Sequence, residues 1–173
     1  MKKIILIIFT IHLWFSGGLF AQFTVASDDA TNYSGTWGNA DNYGSGFAAW
    51  SITYGTSTGT FIGNPSTNGM GTTGIGTTAF GLWSTSTGYV NASRGIISGM
   101  QFGDSFSFYW AMNWDANTGA KGFDFKSSSS TIFNINNGGS ATITSTNGTA
   151  DASYGTDPML VTLTRTSGSE YSF

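Results

Sequence analysis

The strongest structural signal in the sequence is an alternation of side chains in three segments within residues 104–136. Aromatic or apolar side chains occupy every second position of each segment, and the positions between them are mostly polar or small. A period of two is the repeat of a β-strand with one buried face. The alternation occurs in segments 106–112, 123–126 and 133–136. It predicts three successive antiparallel strands in a meander, with the apolar row buried on one side.

The rest of the chain after residue 21 shows further short strand patterns separated by Gly-, Asn- and Ser-rich turns. The additional predicted strands are segments 47–54, 60–62, 79–84, 89–97, 141–145, 159–165 and 170–173, and we expect segments 63–78 and 147–158 to be loops. No segment has a helical period. The sequence therefore predicts an all-β fold, an antiparallel β-sandwich of jelly-roll type.

The first 21 residues have the pattern of a secretory signal helix. Lys2 and Lys3 precede an apolar run over residues 4–15, and small residues lead to Ala21. The apolar run is too short to cross a bilayer comfortably, which favours a cleaved signal peptide over a membrane anchor. We therefore predict cleavage after Ala21, a secreted or cell-surface location, and no membrane insertion after cleavage.

Residues 22–173 are predicted to form a single β-sandwich domain. Their number is sufficient for one domain with a real core. The last predicted strand, segment 170–173, is shorter than a typical strand. Either it is a short closing edge strand, or the domain is truncated at its C-terminus and further domains of a longer chain follow.

The residue inventory excludes several kinds of site. The only histidine, His12, lies in the predicted signal peptide, and the chain contains no cysteine. Zinc sites built on His or Cys, Ser-His-Asp triads, cysteine nucleophiles and disulfides are therefore excluded from the mature domain. Removing the signal peptide leaves four Lys and Arg residues against nine Asp and Glu, a formal net charge of -5. This acidic balance argues against nucleic-acid partners and anionic membranes.

A carboxylate pair of the kind used in glycoside hydrolysis is the remaining route to catalysis. The chain has a single glutamate, Glu170, so a Glu/Glu pair is excluded. Asp104, Asp115 and Asp124 lie nearest the central alternating segment, but their positions are typical of turn and surface residues. We therefore predict no catalytic residues and interpret the protein as a non-enzyme.

A carbohydrate-binding role has more support in the sequence. Sugar rings are recognised by exposed aromatic rings flanked by amide and carboxylate groups. Trp37 and Trp114 fall in predicted loops next to Asn and Asp residues, and Tyr109 and Asn113 lie on the polar face of the central strand. The predicted ligand-binding residues are Trp37, Tyr109, Asn113, Trp114 and Asp115, and the expected partner is a polysaccharide or cell-surface glycan. The alternative is that the loop tryptophans close the open ends of the sandwich.

The few remaining charged residues suggest structural roles. Arg94 is expected to pair with an aspartate or to cross-link a loop, because the chain has few other cations. Asp28, Asp29, Asp151 and Asp157 offer oxygen ligands of the type that Ca²⁺ prefers, but no spaced calcium-loop motif is present. The sequence does not decide whether a structural calcium binds at the edge of the sandwich, and no other cofactor is expected.

Five Gly- and aromatic-rich segments together resemble a family of β-sandwich domains found near the N-terminus of large secreted or cell-surface bacterial proteins. The segments are 46–50, 61–63, 81–94, 103–108 and 121–125, and the resemblance covers most of residues 27–173. It implies a jelly-roll module, often one of several in an exported protein. The expected function is a non-catalytic, carbohydrate-binding-like module, and the alternative is a purely structural or adhesive module.

Overall fold

The fold is all-β, as the sequence predicts. The computed structural model describes residues 24–85, 87–113, 120–136, 142–145, 148–153 and 156–173. Within these ranges the chain forms strands and two short 3-10 helices, Ala30–Asn32 and Pro65–Asn68, and all strand pairs are antiparallel. In the same ranges no helix has the length and apolar character needed to cross a bilayer. The predicted signal helix, residues 1–21, lies outside them.

The strands pair into separate small sheets. In the described ranges they are β1 (Ser51–Tyr54), β2 (Thr58–Gly63), β3 (Ala79–Ser84), β4 (Val90–Ser93), β5 (Ser105–Trp110), β6 (Gly122–Ser127), β7 (Ser130–Asn136), β8 (Thr142–Ser145), β9 (Gly148–Ser153), β10 (Met159–Arg165) and β11 (Tyr171–Ser172). Their orders are β1-β4, β2-β3, β11-β10-β5 and β6-β7-β8-β9. This arrangement is consistent with the β-sandwich class, and the jelly-roll topology stays a prediction.

One hydrophobic core involves residues of the β1-β4 and β2-β3 sheets. Its buried members are Tyr33, Trp37 and Ile52, and Trp50, Ile62, Phe80, Val90 and Ala92 pack around them. The ring of Trp37 contacts those of Trp50 and Phe80 edge-on, with centroids 4.7 and 4.9 Å apart. Edge-to-face packing is a favoured arrangement of aromatic rings and adds to the stabilisation from burial.

A second aromatic cluster joins the β11-β10-β5 sheet to the β6-β7-β8-β9 sheet. The ring of Phe108 on β5 contacts that of Phe123 on β6 at 4.8 Å, and Phe106 contacts Phe125 at 5.8 Å. Phe173 stacks on Phe133 of β7 with ring centroids 3.6 Å apart. The alternating aromatic side chains of β5 and β6 therefore face each other between two sheets.

The predicted three-strand meander is wrong in pairing β5 with β6, and its pairing of the next two strands, β6 and β7, is confirmed. β6 pairs with β7, but β5 pairs with β10, where Ser107 and Thr162 bond through their hydroxyls at 2.9 Å. An alternating pattern identifies the buried face of a strand without identifying its neighbour. A strand facing β6 across the core has the same pattern as one beside it in the sheet.

Strand β9 occupies part of a segment predicted to be a loop. Residues 148–153 lack an apolar alternation, so nothing in their pattern indicates a strand. They are extended because they pair with β8 at the end of the four-stranded sheet. The loop prediction is therefore wrong for these residues.

Candidate functional site

One face of the β2-β3 sheet presents two aromatic rings on a surface of small residues. Ile62 and Phe80 belong to the first core, so the alternate positions of the two strands point away from it. Those positions are Gly59, Phe61 and Gly63 on β2, and Ala79, Gly81 and Trp83 on β3. We call these six residues the aromatic–glycine face.

Each ring of this face crosses to a glycine on the opposite strand. Phe61 is the cross-strand partner of Gly81, and Trp83 is the partner of Gly59. A β-carbon added to Gly81 would lie 2.2, 2.4 and 2.5 Å from three adjacent atoms of the Phe61 ring. Such similar distances require contact with the face of the ring, because an edge contact would bring one atom much closer than its neighbours. The Phe61 ring therefore lies flat on the backbone of β3.

The indole of Trp83 lies against β2 with its Nε1–Cζ2 edge. A β-carbon added to Gly59 would lie 2.7, 3.1 and 3.2 Å from three atoms of the indole. Glycine inside a strand weakens it, and often marks a position where another group approaches the backbone closely. At both positions that group is an aromatic ring, and each ring covers backbone that a larger residue would otherwise shield.

The aromatic–glycine face is partly exposed and lies in an uncharged part of the chain. The side chain of Trp83 is 47% exposed, so its indole is available to a ligand. Between Asp41 and Arg94 the sequence contains no Asp, Glu, Lys, Arg or His. At the Gly63 end of the face, the side-chain nitrogen of Asn68 lies 3.9 Å from the position of a β-carbon on Gly63. The face therefore offers aromatic surface with a neutral amide at one end.

Trp37 is buried, and this corrects the prediction that it lies exposed in a loop. Its side chain is only 4% exposed, and its Nε1 donates to the carbonyl oxygen of Phe61 at 2.9 Å. The Thr60 hydroxyl donates to the Trp37 carbonyl at 2.6 Å. The sequence left two roles open for Trp37, ligand contact and packing, and its burial agrees with packing. It holds β2 from the core side and does not form a surface for a ligand.

Tyr109 and Asn113 both contact the segment between β2 and β3. The Tyr109 ring is 41% exposed and lies over Gly74, where an added β-carbon would be 2.1 to 2.6 Å from three ring atoms. The exposed Asn113 donates from Nδ2 to the carbonyl oxygen of Asn68 at 2.9 Å. The structure therefore brings these two predicted residues to one loop. The other predicted residues, Trp114 and Asp115, lie outside the described residues.

Phe61 and Trp83 were missed as candidate ligand-binding residues, although their pattern is readable in the sequence. Residues 59, 61 and 63 read Gly, Phe and Gly, and residues 79, 81 and 83 read Ala, Gly and Trp. Small residues at alternate positions of a strand, interrupted by one aromatic ring, indicate a face on which that ring lies flat. The pairing of the two strands, which aligns each ring with a glycine, is not contained in either segment alone.

Arg94 forms a buried ion pair with Asp28, which confirms its predicted structural role. The two side chains are 6% and 7% exposed. The guanidinium also donates to the Ala48 carbonyl at 2.9 Å and to Oδ1 of Asn42 at 3.2 Å, and it lies 4.9 Å from the centroid of the Trp50 ring. Because these partners come from distant parts of the chain, Arg94 cross-links the N-terminal loops to β4.

Tyr33 completes this network from the core side. Its hydroxyl donates to Oδ2 of Asp28 at 2.7 Å and accepts from Nε1 of Trp50 at 2.9 Å. Burial of the side chain raises the pKa of Tyr33, and the hydrogen bond to Asp28 adds to the effect. The charges of Arg94 and Asp28 are therefore satisfied inside the protein, and this cluster holds the fold together.

Of the other acidic residues named from the sequence, Asp29 and Asp104 lie in turns and Asp124 lies on the surface of β6. Asp104 accepts from the Gln101 backbone N–H at 2.6 Å, and Asp124 lies 3.5 Å from the Lys126 ammonium. Asp29 accepts from the Thr31 N–H at 2.8 Å. Among the described residues no group of three or more His, Cys, Asp or Glu side chains is placed to hold a metal ion.

No protein-family model, no curated protein and no solved structure matches this chain at a significant level. The resemblance to N-terminal β-sandwich domains of secreted bacterial proteins stays a prediction.

Proposed function

We propose that the protein is a non-catalytic, exported or cell-surface β-module that binds a neutral carbohydrate through its aromatic–glycine face. The observation that carries the proposal is the pair of rings on one face: Phe61 lies flat on Gly81, and the exposed indole of Trp83 lies against Gly59. The C–H groups on one side of a sugar ring are weakly positive and pack on the electron-rich face of an aromatic ring. A ring held parallel to the protein surface presents that face to a ligand.

The lack of charge in the segment that forms the face supports a neutral ligand. An ionised ligand would need a charged partner nearby to offset the loss of its hydration. None is supplied by the sequence between Asp41 and Arg94, which contains both strands of the face. Asn68 instead offers an amide, which both donates and accepts hydrogen bonds and is suited to sugar hydroxyls. Polysaccharides or cell-surface glycans without charged groups are therefore the expected partners.

Titration of the purified protein with a panel of neutral soluble polysaccharides tests the proposal. We expect saturable binding, by calorimetry and by a change in tryptophan fluorescence, that is lost in Trp83→Ala. Tyr89→Ala is the matched control, because Tyr89 is also an exposed aromatic residue but lies outside β2 and β3. Binding that survives in Trp83→Ala would place the carbohydrate site elsewhere.

The second candidate is a purely structural or adhesive module of a larger exported protein. The burial of Trp37 favours it, because this ring was expected to be exposed in a binding module. A folded protein that binds none of the panel would support this candidate. Export itself is a separate expectation, tested by fractionating cells that express the full chain and sequencing the N-terminus of the mature protein.

A further inference from the structure

We infer that the ligand of the aromatic–glycine face is an extended, flat glycan chain that runs parallel to β2 and β3. This inference rests on the proposed function and adds the shape and direction of the ligand. It follows from where the two rings lie relative to each other, which the strand register fixes.

The two rings form a row along the strands. The Phe61 ring lies at the level of the Phe61–Gly81 pair, and the Trp83 ring lies at the level of the Gly59–Trp83 pair, two residues away along the sheet. A strand rises 3.3–3.4 Å per residue, so the two levels are about 7 Å apart. The rings lean towards each other's strand, which brings both over the line between β2 and β3. A chain that contacts both rings must follow that line.

The placement of the rings selects the shape of the chain. The Phe61 ring lies face down on β3 and the Trp83 indole lies against β2 on the same side of one two-stranded sheet, so a ligand reaches both rings from one direction. A β-1,4-linked glucan is an extended ribbon whose sugar rings present flat sides along its length. An α-1,4-linked glucan winds into a helix, and its successive rings turn away from a common plane. The ribbon can contact both rings together, whereas the helix must distort to do so.

The polar group at the end of the row agrees with this direction. Asn68 lies beyond Gly63, in line with Phe61 on the side away from Trp83. Its backbone carbonyl accepts from Nδ2 of Asn113 at 2.9 Å, which ties its helical turn to the segment that follows β5. A chain running along the rings would therefore reach a fixed amide at this end, where hydroxyl groups can bond to it.

Cellohexaose and maltohexaose test the inference, because they have the same sugar units and differ only in linkage. We expect the full protein to bind cellohexaose at least about tenfold more tightly than maltohexaose in calorimetric titrations. Replacing the second ring in Phe61→Leu, which keeps an apolar side chain over Gly81, should weaken cellohexaose binding by about tenfold. Circular dichroism of the variant checks that the sheet is intact.

Two results would overturn the inference. Equal or tighter binding of maltohexaose, lost in Trp83→Ala, would show that the face binds carbohydrate of a different shape, and the proposed function would stand. Failure to bind either hexasaccharide would also remove the inference, and the polysaccharide panel would then decide the proposed function independently. Unchanged cellohexaose binding in Phe61→Leu would show that the chain does not follow the row of rings.

Discussion

The buried indole of Trp37 donates a hydrogen bond of 2.9 Å to the carbonyl oxygen of Phe61, whose own ring lies on the opposite side of the sheet. The backbone of β2 is therefore held from the core at the residue that carries one of the two rings of the aromatic–glycine face. Core packing and the candidate binding surface share this strand. A change in the core at Trp37 should reach the surface through it.

Replacing Trp37 should destabilise the protein in two distinguishable steps. We expect Trp37→Ala to lower the free energy of unfolding by about 3–5 kcal/mol, since it removes a large buried ring and leaves a cavity. Trp37→Phe keeps most of the ring but leaves the Phe61 carbonyl without its donor, a loss of about 1–3 kcal/mol. Denaturant titrations measure both values.

Trp83→Ala is the matched comparison for the stability of Trp37. Its side chain is half exposed, so we expect a loss of only about 1 kcal/mol. A loss at Trp83 as large as that at Trp37 would contradict the assignment of one tryptophan to the core and the other to the surface. The same measurement shows whether Trp83→Ala is folded in the binding experiment.

The ion pair between Arg94 and Asp28 should be far more important for stability than the pair between Lys126 and Asp124. Breaking a buried pair leaves an uncompensated charge, so we expect Arg94→Met to cost about 3–5 kcal/mol. Lys126→Met removes one partner of an exposed pair, with side chains 52% and 39% exposed, and should cost about 0–1 kcal/mol. Urea unfolding of the two variants makes the comparison, and similar losses would refute it.

Local patterns in the sequence predict where the strands begin and end better than they predict which strands pair. β3 and β10 have the bounds that the sequence predicts, because their alternation ends at clear turn residues. The pairing of β5 with β10 brings together residues far apart in the chain, and no local pattern encodes it. The same limit applies to Trp37, whose flanking glycine and polar residues are typical of a loop, although its ring packs between strands.

The candidate site was partly predictable for the same reason. Tyr109 is exposed on β5, as its parity in the alternating segment indicates. Arg94 could be assigned a structural partner because the chain has so few cations. The positions of the Phe61 and Trp83 rings depend on the register of β2 against β3, which places a glycine opposite each ring. The register is a property of the pair, so neither strand shows it alone.

The glycine beneath Phe61 should be required for the shape of the aromatic–glycine face. In Gly81→Ala the new β-carbon would overlap the Phe61 ring, which must tilt away from the sheet. We expect a loss of about 1–3 kcal/mol in stability and weaker carbohydrate binding than in the parent protein. Gly95→Ala is the control, because a β-carbon there has no heavy atom within 4 Å. If Gly81→Ala binds and unfolds like Gly95→Ala, the ring does not lie on the glycine.

The buried hydroxyl of Tyr33 should make the protein less stable at alkaline pH. Burial raises its pKa above the usual value of 10.0 in the folded state, so the folded protein holds this proton more tightly than the unfolded chain does. The stabilisation is fully present below pH 10 and is lost as the pH rises through the pKa of the folded state. Denaturation midpoints measured at pH 8 and at several values above pH 10 should show the decline. Tyr33→Phe should be less stable than the parent protein at pH 8, but it should lose less stability as the pH rises above 10. Tyr54→Phe is the control, because it leaves the network intact and should follow the parent protein. An equal decline in Tyr33→Phe and the parent would assign the effect to other groups.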